Sequence, residues 1–191
     1  MKQIFKLIKW GKEFIEKHIT YTYHLRPMII YLSKQKKKSL IGIEIGVLRG
    51  ANAYSIMQHL DIKQLYLVDP YIIYDDGTNY YPNRSKDLEI AKRTLKIFKN
   101  KIKFIFQLSE DAHKEFLPNT VDFVYIDGNH LYDWVKKDIE FYYPLVKKGG
   151  FIGGHDFRAD CEGLCRAVLE FVDKNKLTLH GYKTDWWIKK Q

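Results

Sequence analysis

The sequence of 191 residues contains few cysteines and no long hydrophobic stretch. Its two cysteines, Cys161 and Cys165, are too few and too close together for a disulfide framework. No apolar run approaches the ~20 residues of a membrane span. Lysines also interrupt the N-terminal stretch where a secretory leader would need an apolar core. These absences argue against a disulfide-stabilised scaffold and a membrane-spanning chain, so we expect a cytoplasmic protein with reduced thiols.

The sequence also lacks an excess of positive charge outside its first segment. Residues 1–38 contain ten Lys and Arg against two acidic residues, which is +8 of the formal net charge of +9. The other 153 residues contain 22 Lys and Arg against 21 acidic residues. An enzyme that grips a long RNA is expected to have a basic face. Nucleic acid is therefore not an expected partner of the main body.

The basic segment, residues 1–38, has the pattern of a helical extension. Its isoleucines recur at helical spacing with lysines between them, which predicts an amphipathic helix over residues 3–18. A second helix is predicted over residues 23–34. The first helix is expected to cover the main domain or a second copy of the chain in a homo-oligomer. The alternative is peripheral contact of residues 1–20 with an anionic membrane surface.

Residues 39–191 alternate between short apolar strands and helices, which is typical of an α/β domain. Such alternation predicts a doubly wound, mostly parallel sheet, whose ligand lies beyond the carboxyl ends of the strands. Polar or glycine-rich residues follow five of the predicted strands. The predicted strands are Leu40–Ile45, Leu65–Asp69, Ile102–Gln107, Val121–Asp127, Phe151–Gly154, Leu177–Tyr182 and Trp186–Lys189.

A glycine-containing loop follows the first predicted strand and opens the next helix. It contains Glu44, Gly46 and Gly50. The G-x-G-x-x-G spacing that seats a pyrophosphate is missing, and Glu44 would repel such a group. A carboxylate here favours a cationic ligand, and the glycines let the backbone approach it closely. A plain tight turn between strand and helix is the alternative.

Two further residues favour a nucleoside ligand. Asp69 ends the second predicted strand, where a carboxylate can accept hydrogen bonds from both hydroxyl groups of a ribose. Ser109 follows the third long strand and can present its hydroxyl group to the edge of a base. The alternative for Ser109 is to cap the short helix that follows.

Two other segments place ionisable side chains after apolar strands. Asp127 is followed by His130, and His155 precedes Asp156. If the two strands are neighbours, Asp127 and Asp156 converge and form, with His155, a site for Mg²⁺ or Mn²⁺. A hydroxyl group bound to such a cation loses its proton more easily, and His130 is placed to accept it as general base. The alternative is that the two histidines stabilise a helix end and a turn.

These segments resemble the class I S-adenosylmethionine-dependent methyltransferases. They are most similar to a group with an IDG-x-H-x-Y motif followed by GG-x-x-x-x-HD, which correspond here to Ile126–Tyr132 and Gly149–Asp156. Relatives in this group include metal-dependent O-methyltransferases of macrolide sugars and cell-surface glycans. The resemblance covers residues 38–190 and implies a Rossmann-like domain with a seven-stranded sheet.

The resemblance also implies a cofactor and roles for particular residues. It implies that Asp127 and Asp156 bind the divalent metal, with His155 at a position where relatives carry an acidic ligand. His130 occupies the position of the catalytic base, and Asp127 is expected to take part in catalysis through the metal. The S-adenosylmethionine pocket is implied to be lined by Glu44, Gly46, Gly50, Asn52, Asp69, Ser109 and Asp127.

The acceptor is predicted to be the hydroxyl group of a sugar, a glycan or another small molecule. The segment between Asp69 and Ser85 is long and rich in tyrosine, including Tyr71, Tyr74, Tyr80 and Tyr81, and would suit stacking on a sugar. A loop that packs on itself is the alternative. The C-terminal tryptophans are expected to lie in the core rather than to form a substrate platform.

Two hypotheses of other classes stay open. A nucleotide-binding oxidoreductase would also use a carboxylate at Asp69, although the missing G-x-G-x-x-G spacing and Glu44 argue against it. The second hypothesis is a non-catalytic or tethering protein that would use the basic N-terminal helix on membranes or RNA. Within the methyltransferase class, an enzyme associated with RNA or with a membrane through that helix is the alternative.

Overall fold

The computed structural model describes residues 25–72 and 84–191. The predicted helix over residues 3–18 lies outside the described residues, and so does most of the tyrosine-rich segment. Within the part of the chain that is described, no helix is long and apolar enough to cross a membrane.

The described residues form one seven-stranded sheet with the order β3-β2-β1-β4-β5-β7-β6. The strands β1 to β5 are parallel, and β7 lies antiparallel between β5 and β6. This arrangement confirms the predicted α/β class and the doubly wound, mostly parallel sheet. The strands are β1 (Leu40–Ile45), β2 (Ile62–Val68), β3 (Ile102–Ile105), β4 (Val121–Ile126), β5 (Val146–Gly154), β6 (Leu179–Tyr182) and β7 (Asp185–Lys189).

Six α-helices accompany the strands in the described ranges. The second predicted helix is shorter than expected, because it begins at Pro27. Proline is favoured in the first turn of a helix: its φ is already helical, and the backbone N–H that it lacks would have no partner within the helix. Three short 3-10 turns follow helices at residues 96–98, 113–115 and 143–145. The helices are α1 (Pro27–Lys34), α2 (Ala51–His59), α3 (Arg84–Thr94), α4 (Ser109–Ala112), α5 (Tyr132–Tyr142) and α6 (Glu162–Lys174).

Two strands begin at least three residues earlier than the sequence predicted. β2 begins at Ile62, which is buried and pairs with Leu40. β5 begins at Val146, which is buried and pairs with Val121. In both cases, polar residues between the first buried side chain and the main apolar run conceal the start of the strand.

The sheet is buried on both faces, and its side chains alternate between two cores. Val168 of α6 lies in the same apolar cluster as Trp186, on one face. Met28 of α1 lies in the same cluster as Trp187, on the other. Both tryptophans are buried, with 1% and 6% of their surface exposed. The prediction that they belong to the core is therefore confirmed.

Asp185 fastens α1 to the carboxyl-terminal edge of the sheet. Its Oδ2 accepts a hydrogen bond from the backbone N–H of Met28 at 3.0 Å and another from the Tyr125 hydroxyl at 3.2 Å. Met28 then lies against Gly153, where an added Cβ would come within 2.7 Å of its sulfur. These contacts hold the start of α1 against the carboxyl-terminal edge of the sheet. Arg26, which immediately precedes α1, is therefore positioned at that edge.

The strand order reverses between β1 and β4. From β1 the chain continues outward to β2 and β3, whereas β4 and β5 lie on the other side. At such a reversal the connections diverge and leave a crevice at the carboxyl ends of the two strands, which is where open α/β sheets bind ligands. The fold therefore directs attention to the residues after Ile45 and Ile126.

Adding a methyl group at Gly153 is expected to destabilise the fold. In Gly153→Ala the new Cβ would lie 2.2 Å from the Trp186 carbonyl oxygen, a backbone atom that cannot move alone. We expect the free energy of unfolding to fall by about 3 kcal/mol, as for an overpacked core. Denaturation by urea, followed by circular dichroism, measures the change.

Gly149→Ala is the matched control on the same strand. A Cβ there meets nothing within 4 Å, and only its φ of +75° opposes the substitution. The expected cost is about 1 kcal/mol. Equal stability of the two variants would contradict the packing argument.

Candidate active site

Glu44, near the end of β1, is a buried carboxyl group with an incomplete set of partners. Only 1% of its surface is exposed. Its Oε1 accepts a hydrogen bond from the Asn52 side-chain nitrogen at 3.1 Å. Its Oε2 and the Asn52 side-chain oxygen have no partner among the described residues. An unsatisfied buried carboxyl oxygen is costly, and a donor on a bound ligand would relieve that cost.

The surroundings of Glu44 hold it protonated at neutral pH. Burial raises its pKa to about 8, and this is offset in part by the hydrogen bond from Asn52. The nearby charge of Asp127 raises the pKa further, whereas that of Arg26 lowers it. Glu44, predicted to contact the cofactor, and Asp127, predicted to bind the metal, are therefore close enough to interact electrostatically.

Backbone conformation and close packing explain why glycine occupies positions 46 and 50 of the predicted loop. Gly46 has a φ of +82°, and a Cβ there would lie 2.2 Å from the Asp127 carbonyl oxygen. Gly50 has a φ of +77° before α2, and a Cβ there would lie 3.0 Å from Leu95. At Gly46 the backbone closely approaches the loop that follows the neighbouring strand β4. Cofactor contact by either glycine stays a prediction.

Asp69 organises the loops around the crevice. Its Oδ2 accepts hydrogen bonds from the N–H groups of Val47 and Leu48 at 3.0 Å, and its Oδ1 accepts one from Tyr71 at 2.9 Å. Each carboxylate oxygen can accept more than one hydrogen bond. The predicted contact with a ribose therefore stays compatible with these bonds, although the structure adds a loop-positioning role that the sequence did not indicate.

A cleft that opens to solvent lies at the reversal point beside Asp69. Ser109 reaches it from the start of α4, where its side chain is hydrogen bonded to Asp138 of α5. Trp134, one turn before Asp138 on α5, lines the cleft as well. The predicted nucleoside residues Asp69 and Ser109 thus share one cleft.

The reactive residues meet where β4 and β5 end. The strands pair in parallel with Ile126 beside Gly154, so Asp127 and Asp156 follow neighbouring strands. His130 Nε2 lies 3.1 Å from one oxygen of Asp156, and His155 Nδ1 lies 3.1 Å from the other. β4 and β5 are thus neighbours, which is the condition on which the convergence of Asp127 and Asp156 depended.

The two aspartates have opposite electrostatic surroundings. Burial disfavours the charge of Asp156, but hydrogen bonds from His130 and His155, and their charges, outweigh it and hold its pKa below the usual range. Burial raises the pKa of Asp127, although Arg26 counteracts the increase. Arg26 Nη2 lies 3.2 Å from Asp127 Oδ2. Asp156 therefore has two imidazole partners, whereas Asp127 is paired with a guanidinium group.

Asp127, His130 and Asp156 form a group suited to a divalent cation. One ligand atom from each residue lies within 4.8 Å of the other two. His155 stands beside this group: its Nδ1 is 3.8 Å from Asp127 Oδ1, and its Nε2 is 2.7 Å from the Thr184 hydroxyl oxygen. The roles of His130 as base and of His155 as ligand both stay predictions.

The sequence reasoning missed Arg26, Trp134 and Asp138. Asp138 had a detectable signal, because it interrupts the apolar face formed by Val135 and Ile139 in a strongly amphipathic helix. Arg26 had none, since its position depends on the docking of α1 against β7.

Comparison with known proteins decides the family. A family model described as a methyltransferase domain matches residues 43–157, more than half of the chain. The chain belongs to this methyltransferase-domain family. An uncharacterised protein, R132 of Acanthamoeba polyphaga mimivirus, is 31% identical over 143 residues, which cover 72% of this chain. The matched region spans 61% of that relative's length.

Solved structures share the fold at low sequence identity. The O-methyltransferase NovP has a TM-score of 0.62 and 17% identity, and the match covers 88% of this chain and 78% of NovP. A Bacillus cereus O-methyltransferase, solved with S-adenosylhomocysteine (SAH), has a TM-score of 0.66 and 14% identity, with coverages of 94% and 90%. A protein described as a putative caffeoyl-CoA O-methyltransferase from Staphylococcus aureus has a TM-score of 0.63 and 16% identity, covering 98% of each chain. The fold is that of the Rossmann-like methyltransferases.

Glu44 is expected to make the stability of the protein fall with increasing pH. Its folded-state pKa of about 8 is raised from 4.5, so its contribution is complete below pH 4.5 and is lost as the pH rises towards 8. In Glu44→Gln the side chain stays neutral. We therefore expect its unfolding free energy to decline less steeply between pH 5 and pH 8, by at most about 1.4 kcal/mol per pH unit.

Urea denaturation at a series of pH values measures these slopes. Glu140→Gln, at an exposed position, is the control and should follow the wild-type slope. A Glu44→Gln variant with an unchanged slope would show that Glu44 is not held protonated by the fold.

Proposed function

We propose that the protein is an S-adenosylmethionine-dependent O-methyltransferase that is assisted by a divalent metal and acts on the hydroxyl group of a sugar, a glycan or another small molecule. The observation that carries this proposal is the position of Glu44. Its buried Oε2, which has no partner within residues 25–72 and 84–191, lies close to a group of two carboxylates and an imidazole, at the reversal point of a methyltransferase fold.

The residues of the crevice fit S-adenosylmethionine. A cationic amino or sulfonium group would give Glu44 Oε2 a partner, which the described part of the chain does not supply. Asp69 and Ser109 line one cleft and offer acceptors to a ribose and a base. Asn52 orients Glu44 through the hydrogen bond to Oε1. When bound, the cofactor supplies an electrophilic methyl group.

The donor set of Asp127 and Asp156 fits a hard divalent cation such as Mg²⁺ or Mn²⁺. Such a cation, when bound, supplies positive charge that lowers the pKa of a neighbouring hydroxyl group. Arg26 neutralises Asp127 in the described arrangement and has to share or yield that oxygen to a cation.

His130 is the group proposed to accept the proton from the acceptor hydroxyl. Its Nε2 is hydrogen bonded to Asp156, which favours the neutral tautomer with the proton on Nε2. Nδ1 is then the atom that takes up the proton. Asp156 stabilises the imidazolium that results, because its carboxylate stays ionised between two histidines.

Isothermal titration calorimetry tests the binding part of the proposal. We expect the wild type to bind S-adenosylmethionine and Mn²⁺, and Asp127→Asn and Asp156→Asn to bind Mn²⁺ at least about tenfold more weakly. Asp160→Asn, an exposed carboxylate at the same rim, is the matched control and should bind Mn²⁺ like the wild type. Folded wild-type protein that binds no S-adenosylmethionine would overturn the proposal.

Methyl transfer to a panel of hydroxylated acceptors tests the role of His130. We expect His130→Asn to lower kcat by about 10²–10⁴-fold, the usual contribution of a general base. Binding of S-adenosylmethionine and Mn²⁺ should persist in this variant. If Mn²⁺ binding is lost with activity, His130 is a metal ligand and not the base.

A further inference from the structure

The cleft at the reversal point has the composition of a pocket for a flat heterocycle. Val68, Pro70 and Leu108 contribute apolar surface, and Trp134 contributes an indole ring. Aromatic and apolar side chains supply most of the contact area in such pockets, and a few placed polar groups decide which heterocycle is accepted.

Asp138 is the buried carboxyl group of this cleft. It lies one helical turn after Trp134 on α5, so both side chains are on the same face of the helix. Only 2% of its surface is exposed. Ser109 is hydrogen bonded to this carboxyl group, yet Oδ1 has no partner among the residues that the structure describes. Asp138 therefore offers an unsatisfied acceptor at a lined cleft.

A carboxyl group in this position distinguishes purines by their 6-substituent. Adenine carries an amino group that donates hydrogen bonds, whereas hypoxanthine and guanine carry a carbonyl oxygen that accepts them. A carboxylate oxygen without a proton only accepts hydrogen bonds. It therefore attracts the amino group of adenine and repels the carbonyl oxygen of hypoxanthine or guanine. A site that leaves a buried polar group unpaired discriminates strongly against the wrong ligand.

We propose that Asp138 is the specificity-determining residue that reads the exocyclic amino group of adenine in this cleft. The proposal rests on the proposed function, since it assigns the cleft to the base of the nucleoside cofactor. Ser109 acts as a positioning residue, because its hydrogen bond holds one side of the carboxyl group. Trp134 provides the ring beside which the base packs.

The electrostatic setting of Asp138 is consistent with this role. Burial raises its pKa to about 7, and the hydrogen bond with Ser109 opposes the rise. An amino group that donates to the carboxylate favours the ionised form. Adenine binding should therefore release protons near neutral pH, and affinity should increase as the pH rises through 7.

Calorimetry with two matched nucleosides tests the proposal. The probes are SAH and its analogue in which hypoxanthine replaces adenine. We expect the wild type to bind SAH about tenfold or more tightly than the analogue, the effect of one unpaired buried group. In Asp138→Asn we expect the two affinities to lie within about twofold, because an amide can turn either its oxygen or its N–H towards the base.

Asp133→Asn, an exposed position on the same helix, is the control and should keep the wild-type preference. A purely structural role of Asp138 would weaken both probes equally and leave their ratio unchanged, which would overturn the inference. Equal affinities in the wild type would also overturn it, and that comparison needs no variant to fold. Binding of neither probe would overturn the proposed function together with the inference.

Discussion

The site depends on the close approach of two backbones at the reversal point of the sheet. Gly46 follows β1 and Asp127 follows β4, and a single methyl group at Gly46 would lie 2.2 Å from the Asp127 carbonyl oxygen. The Asp127 N–H also donates to the Ile45 carbonyl at 2.8 Å. Because these loops touch, the crevice has one wall from each half of the sheet. Glu44 and Asp127 are consequently close enough for the charge of Asp127 to raise the pKa of Glu44.

That proximity explains the distribution of positive groups around the crevice. Several buried carboxyl groups gathered at one edge of a sheet would destabilise it unless they were neutralised or protonated. Asp156 lies within hydrogen-bond distance of two histidines, Asp127 is paired with Arg26, and burial raises the pKa of Glu44 so that it holds a proton.

Much of the architecture could be predicted because it follows from local patterns. The alternation of apolar strands and helices specified the doubly wound sheet, and β1 has the predicted ends. The glycine loop and the two acidic segments were recognisable as candidate site segments, because the residues that follow parallel strands all lie at the same edge of the sheet. Errors occurred at strand starts such as Val146, where pairing with a neighbour, rather than the sequence pattern, extends the strand.

The sequence by itself determined the class of fold and placed the acidic and imidazole residues of the candidate site at the carboxyl-terminal edge of the sheet. These depend on local periodicity and on chain direction, which a linear pattern records. Only the tertiary structure decided which groups pair: His130 with Asp156, Arg26 with Asp127, and Ser109 with Asp138. The paired residues are 26, 101 and 29 positions apart in the chain. Such pairings follow from how α1, α4 and α5 dock on the sheet, and docking reflects packing between distant elements that no local pattern encodes.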